Sequence, residues 1–398
     1  MTDPWATFVA RTSDREVAGY FEASPRAPRG ASTATWFGQP GDVRTLDRDD
    51  DAASLGAETR RFLRGGAGRA VVGYLGFDAV GLFEPALRRF PAGDPFPLGE
   101  LAWVRRPTVV RWHRLPARRA AGGRSPGTPL ADSLARTAYE RSVRRIGRDI
   151  RDGEAFQVVL AHRRVWPRPA ELLTRAGVLR ASERYAFFVY LRFGDRELVA
   201  ATPESVAEVE GRTARVNPIA GTIPIGRGRA GRRPLAVDPK ELAEHRMLVD
   251  LARNDLGRVA RPGSVRLGTT ERRVRFARLE HLVSEVEATL ATGTDPWAVL
   301  AAAFPAGTVS GAPKIRATEI LRREEGTWRG PYAGALGLLR PRDRATWALG
   351  IRAGFAAGRR LYTAAGAGIV YRSRPAREFH ETIVKLAQVE RTLAAEGP

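Results

Sequence analysis

Strand-like runs follow one another along this chain with little sign of regular alternation with helices. FQVVLAHRR (156–164), YAFFVYLRF (185–193) and ELVAATPES (197–205) are rich in β-branched and aromatic residues and bounded by turn residues. Earlier, RAVVGYLGFDAV (69–80) reads as a buried strand running into a Gly-bounded turn, and ELAWVRRPTVVRWHRL (100–115) as another strand or two. Later, RATWALGIRAGF and RLYTAAGAGIVY read as paired strands closed by a C-terminal helix. Strands in succession with few strand–helix–strand units favour an α+β fold over a doubly wound parallel sheet.

Composition narrows the function classes. The 398 residues include no cysteine, which removes disulfides, thiolate metal sites and cysteine nucleophiles together. The N-terminus lacks a basic-then-apolar signal pattern, and no run reaches membrane-spanning length, so a cytoplasmic protein without a membrane partner is expected. A net charge of +21 invites a nucleic-acid reading. The arginines, 62 of the 65 basic residues, are scattered through every segment, and no helix-turn-helix, zinc-finger or RNP-like pattern accompanies them. No nucleic-acid partner is expected. The three lysines, Lys240, Lys314 and Lys385, all fall in the motifs discussed below, which suggests that position demands them. PARRAAGGRSPGTPL (116–130) is aperiodic and rich in Pro, Gly and Arg. It divides the chain into an N-terminal region (1–115), a linker or surface loop (116–130) and a C-terminal region (131–398).

Two helical stretches carry paired carboxylates. DPKELAEHRMLVDLARND (238–255) predicts one helix, with Asp238 as cap, Pro239 at its first position, and an apolar face of Leu242, Met247, Leu248 and Leu251. Glu241 and Glu244, three apart, project from one side of it. Glu378 and Glu381 repeat that spacing in REFHETIVK, with Lys385 one turn on. Two such pairs suit a hard divalent cation, and equally suit a solvated surface. TAYERSVRRIGRDIRDGEA predicts an amphipathic helix with Thr137 and Glu140 as a capping box; Tyr139, Val143, Ile146 and Ile150 form its inner face and Gly153 ends it. The Gly221–Arg233 stretch reads as a mobile loop, and FPAGTVSGAPKIRATEILRR (304–323) as a turn feeding a helix. GTVSGAPK lacks the Walker pattern.

FQVVLAHRR, NPIAGT, DPKELAEHRMLVDLARNDLGRV, HLVSEVEATL, FPAGTVSGAPKIRATEIL, GPYAGALG, AAGAGIV and EFHETIVK together carry a resemblance. Their order and wording over residues 137 to 390 resemble the chorismate-utilising enzymes, specifically the large aminating subunits: anthranilate synthase component I and aminodeoxychorismate synthase component I. The resemblance implies an antiparallel β-sandwich core flanked by helices, with chorismate in a cleft between layers and residues from both ends of the chain intermixed. It implies Mg2+, with Glu244 and Glu381 as direct ligands and Glu241 and Glu378 beside them or acting through water. Glu204 of TPES matches the general acid that protonates the departing C4 hydroxyl, which requires a raised pKa. His281 matches a histidine close to the ring, and Thr308 a contact to the ring carboxylate. Arg352 and the backbone of Gly366 and Gly368 match the enolpyruvyl carboxylate site, with Lys385 adding positive charge nearby.

Two positions separate branches of that family. Gln157 stands where the water-using branch places a lysine base; a neutral amide does not deprotonate water, so ammonia is the expected nucleophile. Ala220 stands where many aminodeoxychorismate synthases carry a nucleophilic lysine, and the same match puts Ala220, Gly221 and Thr222 in the substrate site. The expected reaction is amination of chorismate at C2 to 2-amino-2-deoxyisochorismate, followed by pyruvate elimination to anthranilate. Formation of 4-amino-4-deoxychorismate, and a synthase of secondary metabolism that stops at the 2-amino intermediate, remain alternatives. The second draws on the absence of an LLES-like motif and on Val384, where many members have Asn. With no cysteine for glutamine hydrolysis, ammonia would come from solution or, as the resemblance implies, from a separate glutamine amidotransferase subunit.

Overall fold

The structure, a computed structural model, describes residues 3–24, 31–112, 126–224, 239–276 and 279–394. Two large antiparallel sheets dominate it. One places the Gln157–Pro167, Arg360–Ile369, Ala353–Ala357, Arg196–Thr202, Phe187–Phe193 and Val17–Ala23 strands side by side in that order. The other runs through Thr213–Val216, Ser205–Glu210, Arg344–Leu349, Ala335–Arg340, Arg69–Leu75 and Gly99–Arg105. Apolar side chains from both sheets, including Phe21, Leu191, Val72, Leu101 and Trp347, share one buried cluster. The α+β sandwich expected from the sequence is the fold observed.

A second cluster lies apart from that core. Trp5 and Phe8 of the Pro4–Thr12 helix, which the sequence reading did not anticipate, pack on Tyr20, Phe188 and Tyr190. Trp5 meets Tyr20 and Phe188 edge-on at centroid distances of 5.1 and 5.3 Å. The early strands are threaded into both sheets: Tyr20 pairs with Tyr190, and Gly73 with Gly337.

Two runs read as single strands are each two strands in different sheets. ELVAATPES divides into Arg196–Thr202 of the first sheet and Ser205–Glu210 of the second, with Pro203 and Glu204 between. RATWALGIRAGF divides into Arg344–Leu349 of the second and Ala353–Ala357 of the first. Pro203 has no N–H to give a ladder, and Arg352 has a left-handed φ of 49°, so each run bends out of its sheet at that point. The crossings lie side by side. The Leu349 amide donates to the Glu204 carbonyl at 2.9 Å, and the Ala201 amide to the Arg352 carbonyl at 3.2 Å.

Helix details differ in part from expectation. The Pro239–Gly257 helix forms, and its buried face is His245, Leu248, Val249, Ala252 and Leu256, whereas Leu242, Met247 and Leu251 are half-buried. Its expected cap, Asp238, lies outside the described residues. The Arg136–Arg151 helix starts one residue before Thr137, so the capping box does not form; Glu140 pairs instead with Arg136 at 2.9 Å. Gly153, at φ 84°, closes that helix as expected. Gly221 to Pro224 belong to the Ile219–Pro224 strand rather than to a loop, and 225–233 lie outside the described residues, as do 116–125 of the linker stretch. Among the described residues, no helix is long and apolar enough to cross a membrane.

Candidate active site

The crossings bring a carboxyl, Glu204, and a guanidinium, Arg352, within electrostatic reach of each other. Glu204 is buried, and Thr308 donates its hydroxyl to Glu204 Oε1 at 2.7 Å. Burial pushes the Glu204 carboxyl up to about 8, while the Thr308 bond, Arg352 and Lys385 pull against it. Glu204 is therefore protonated at neutral pH and able to give a proton. Across from it, Arg352 Nη2 lies 3.2 Å from Nε2 of the buried His281, on the Leu279–Val283 strand. Arg352 Nη1 is buried without a partner among the described residues. Desolvation lowers the Arg352 pKa, and Glu183 and Glu204 oppose it. A buried guanidinium with an unused donor is suited to a carboxylate ligand.

Thr308 is held by the short Gly307–Ser310 helix. A Cβ on Gly307 would run into the Leu251 side chain of the Pro239–Gly257 helix, so a larger residue here would make that leucine turn aside. Below it, Lys314 Nζ reaches Asp255 Oδ2 at 2.9 Å and the carbonyls of Ala302 and Ala303 at 3.3 and 3.0 Å. One ammonium thus ties together the ends of three helices. Neither Lys314 nor Asp255 was assigned a role from sequence; the scarcity of lysine was the available signal.

A second group gathers along the Arg360–Ile369 strand. Lys385 Nζ, on the Pro375–Leu393 helix, binds Glu381 Oε1 at 2.8 Å and the Gly366 carbonyl at 2.9 Å. Gly366 also makes a backbone hydrogen bond to the Tyr332 phenol, which burial pushes up to about 12. A Cβ on Gly368 would stand 2.6 Å from Gln157 Nε2. Gln157 is buried, and its Oε1 has no partner among the described residues. Sequence reasoning passed over Tyr332, although GPYAGALG was among the matching stretches.

The profile of the chorismate binding enzyme family matches residues 29–391, which takes in both groups. The chain belongs to the chorismate binding enzymes. It is 38% identical over 380 residues to anthranilate synthase component 1 of Streptomyces coelicolor, covering 82% of this chain and 73% of that one. With anthranilate synthase component 1 of Thermus thermophilus it shares 37% identity over 347 residues, 78% of this chain and 74% of the other. The crystal structure of anthranilate synthase component I from Streptococcus pneumoniae matches with a TM-score of 0.76 and 28% identity, over 91% of this chain and 92% of that one. The menaquinone-specific isochorismate synthase of Escherichia coli matches with a TM-score of 0.74 at 17% identity, over 97% and 91% of the two chains. The fold is common to both kinds of enzyme, so side chains must separate their chemistries.

In this chorismate binding enzyme the expected metal donors are all carboxylates, the donor type a hard cation such as Mg2+ takes. Glu378 is buried, Glu244 is half-buried, and Glu381 is bound by Lys385. No group of three or more His, Asp or Glu placed to hold a metal is found among the described residues. The side chain of Glu241 lies outside them, as do those of Ala220 and Thr222; Gly221 is placed by backbone alone in the Ile219–Pro224 strand. The donor chemistry fits, and the described carboxylates do not by themselves form a closed cage.

Proposed function

We propose that the chain aminates chorismate at C2 with ammonia, giving 2-amino-2-deoxyisochorismate, and then eliminates pyruvate to give anthranilate. The observation that carries this reading is Glu204: a buried carboxylic acid, protonated at neutral pH, at the junction of the two sheets and close to half-buried Arg352, whose Nη1 is itself buried. Hydroxide is a poor leaving group, and protonation as the C4–O bond breaks lets it depart as water. Ammonia forms the new bond at C2, the two ring double bonds shift toward C4, and the resulting ammonium returns a proton.

Arg352 would receive a substrate carboxylate through its unused Nη1, and His281, fixed by the same guanidinium, would face the ring. Gln157 supports ammonia over water, because an amide oxygen accepts from ammonia but is too weak a base to activate water. Glu244 and Glu381 would hold Mg2+, with Glu241 and Glu378 beside them, and the cation would neutralise a substrate carboxylate among these acids. A separate glutamine amidotransferase subunit would supply the ammonia.

The test is incubation with chorismate, Mg2+ and ammonium at mildly alkaline pH, with products identified by mass and fluorescence. Anthranilate with pyruvate is expected. An aminated product retaining its enolpyruvyl group would remove the elimination step, and its 2- or 4-position would tell the two early-stopping aminases apart. Unconsumed chorismate, with and without an amidotransferase, would overturn the reading.

A further inference from the structure

Arg329 and Glu325 form a buried ion pair that the chemistry above does not use. The guanidinium is bidentate: Nε donates to Glu325 Oε2 at 2.8 Å and Nη2 to Glu325 Oε1 at 2.6 Å. Its other bonds go to backbone carbonyls in two separate elements. Nη1 donates to the Val309 carbonyl at 2.7 Å, and Nη2 to the Val159 carbonyl at 2.8 Å. Val309 follows Thr308, which bonds Glu204, and Val159 lies two residues beyond Gln157. One side chain thus joins the turn that holds the acid to the strand that carries the amide.

Both ends of the pair are fixed. Glu325 Oε1 also accepts from the Ala161 amide at 2.8 Å. Along the Gln157–Pro167 strand, Gly311–Ala312 pairs with Val158 and Gln157, and Ala131–Asp132 with Val165 and Arg164. The ion pair takes Val159 and Ala161, in the interval between those two short partners. Arg329 is itself anchored beside the second sheet, just past the Arg69–Leu75 strand. Its amide donates to Asp78 Oδ2 at 3.1 Å, and the Phe77 ring lies 4.4 Å from the guanidinium carbon. Glu325 closes the Lys314–Glu325 helix, an end at which a carboxylate is disfavoured.

A buried ion pair is a poor device for stability alone, because apolar residues of similar volume often serve as well. Apolar residues here would leave the Val309 and Val159 carbonyls unheld. We propose that Arg329, seated by Glu325, is a positioning residue that sets Gln157 and Thr308 at a fixed separation, so that nucleophile and acid address one substrate ring. The proposal rests on the amination reading. Without the guanidinium, the Gly307–Ser310 turn and the Gln157–Pro167 strand lose this clamp, the Thr308 bond to Glu204 loosens, and Gln157 shifts from its place.

The experiment compares the full chain with two variants. Arg329→Met/Glu325→Gln removes both charges together and leaves no ion unpaired, while Arg329→Lys keeps a cation able to reach a carbonyl. Urea unfolding and the pH profile of ammonium-dependent turnover are measured for each. In the double variant the KM for ammonia should rise about tenfold and kcat/KM fall about 10^2-fold. The alkaline limb should move upward as the downward pull of Thr308 on Glu204 weakens. Arg329→Lys should fall between the double variant and the parent. A folded double variant whose KM for ammonia and alkaline limb are unmoved would overturn the proposal, whatever its stability. So would loss of cooperative unfolding in both variants, which would make the pair a requirement of folding. Absence of ammonium-dependent turnover in the parent would instead overturn the amination reading on which the proposal rests.

Discussion

Thr308 and Glu204 meet where the chain changes sheets, the threonine hydroxyl donating to the carboxyl at 2.7 Å. The bond has opposite effects on two properties. It orients the acid, and it draws the carboxyl pKa down against the larger upward push of burial. In Thr308→Val the carboxyl should titrate above its present value of about 8. The alkaline limb of kcat/KM, calculated on free ammonia, should move upward, with kcat/KM at pH 7 lowered about tenfold by lost orientation. An unmoved limb would separate Thr308 from the acid.

Glu204→Gln should lower kcat by about 10^2–10^4, the usual worth of a positioned acid. Its effect on stability has the opposite sign at alkaline pH. The folded-state pKa of about 8 lies above the ordinary 4.5, so the folded chain holds a proton that the unfolded chain has lost. The stability this group contributes is full below 4.5 and is lost as pH rises through about 8. Relative to the parent, Glu204→Gln should therefore gain stability between pH 5 and 9. At about 1.4 kcal/mol per pKa unit the gain is at most on the order of 5 kcal/mol. Paired urea titrations at the two pH values would measure it.

Lys314→Met should destabilise the chain by about 3–5 kcal/mol, because Asp255 is left buried without its cation. Lys314→Arg should not rescue it: a planar guanidinium does not fit the one-point contact with Asp255 and the Ala302 and Ala303 carbonyls. Lys314→Met/Asp255→Leu should recover part of the loss. Denaturant unfolding of the three variants gives the comparison.

Gly368→Ala places a methyl 2.6 Å from Gln157 Nε2, closer than van der Waals contact allows. Gln157 must turn away. A displaced positioning group of this kind costs about 10^2 in rate. Steady-state kinetics should show the loss mainly as a raised KM for ammonia, with thermal stability little changed.

Sequence reading named Glu204, Thr308, Gln157 and Gly368 as candidates, gave Lys314 and Asp255 no role, and did not foresee the setting that holds them. Helices with a strong 3.6-residue pattern were legible, and Glu204 of TPES was singled out only through the family resemblance. The sheet crossings were not legible: ELVAATPESVAEVE carries a polar, proline-containing break at Thr202–Ser205, but apolar runs flank it closely on both sides and the run reads as one strand. The inner face of the Pro239–Gly257 helix was misjudged for a related reason. It packs His245 and Ala252 inward, two residues that a hydrophobicity pattern does not select. The His245 ring is accommodated by a bond from Nε2 to Ser284 Oγ at 2.6 Å, a partner 39 residues away. Thr137 and Glu140 had the right spacing for a cap, but tertiary packing began the helix at Arg136.

The pairing of Tyr20 with Tyr190 and of Gly73 with Gly337 bears on how such a chain can diversify. A hybrid joining the first hundred residues of one relative to the remainder of another would have to match two strand seams at once, one in each sheet. A slip of one residue at either seam would turn every side chain of that strand to the wrong face. Recombination within this stretch should therefore mostly yield unfolded chains. Inheritance should favour gradual substitution along the whole length over the exchange of blocks.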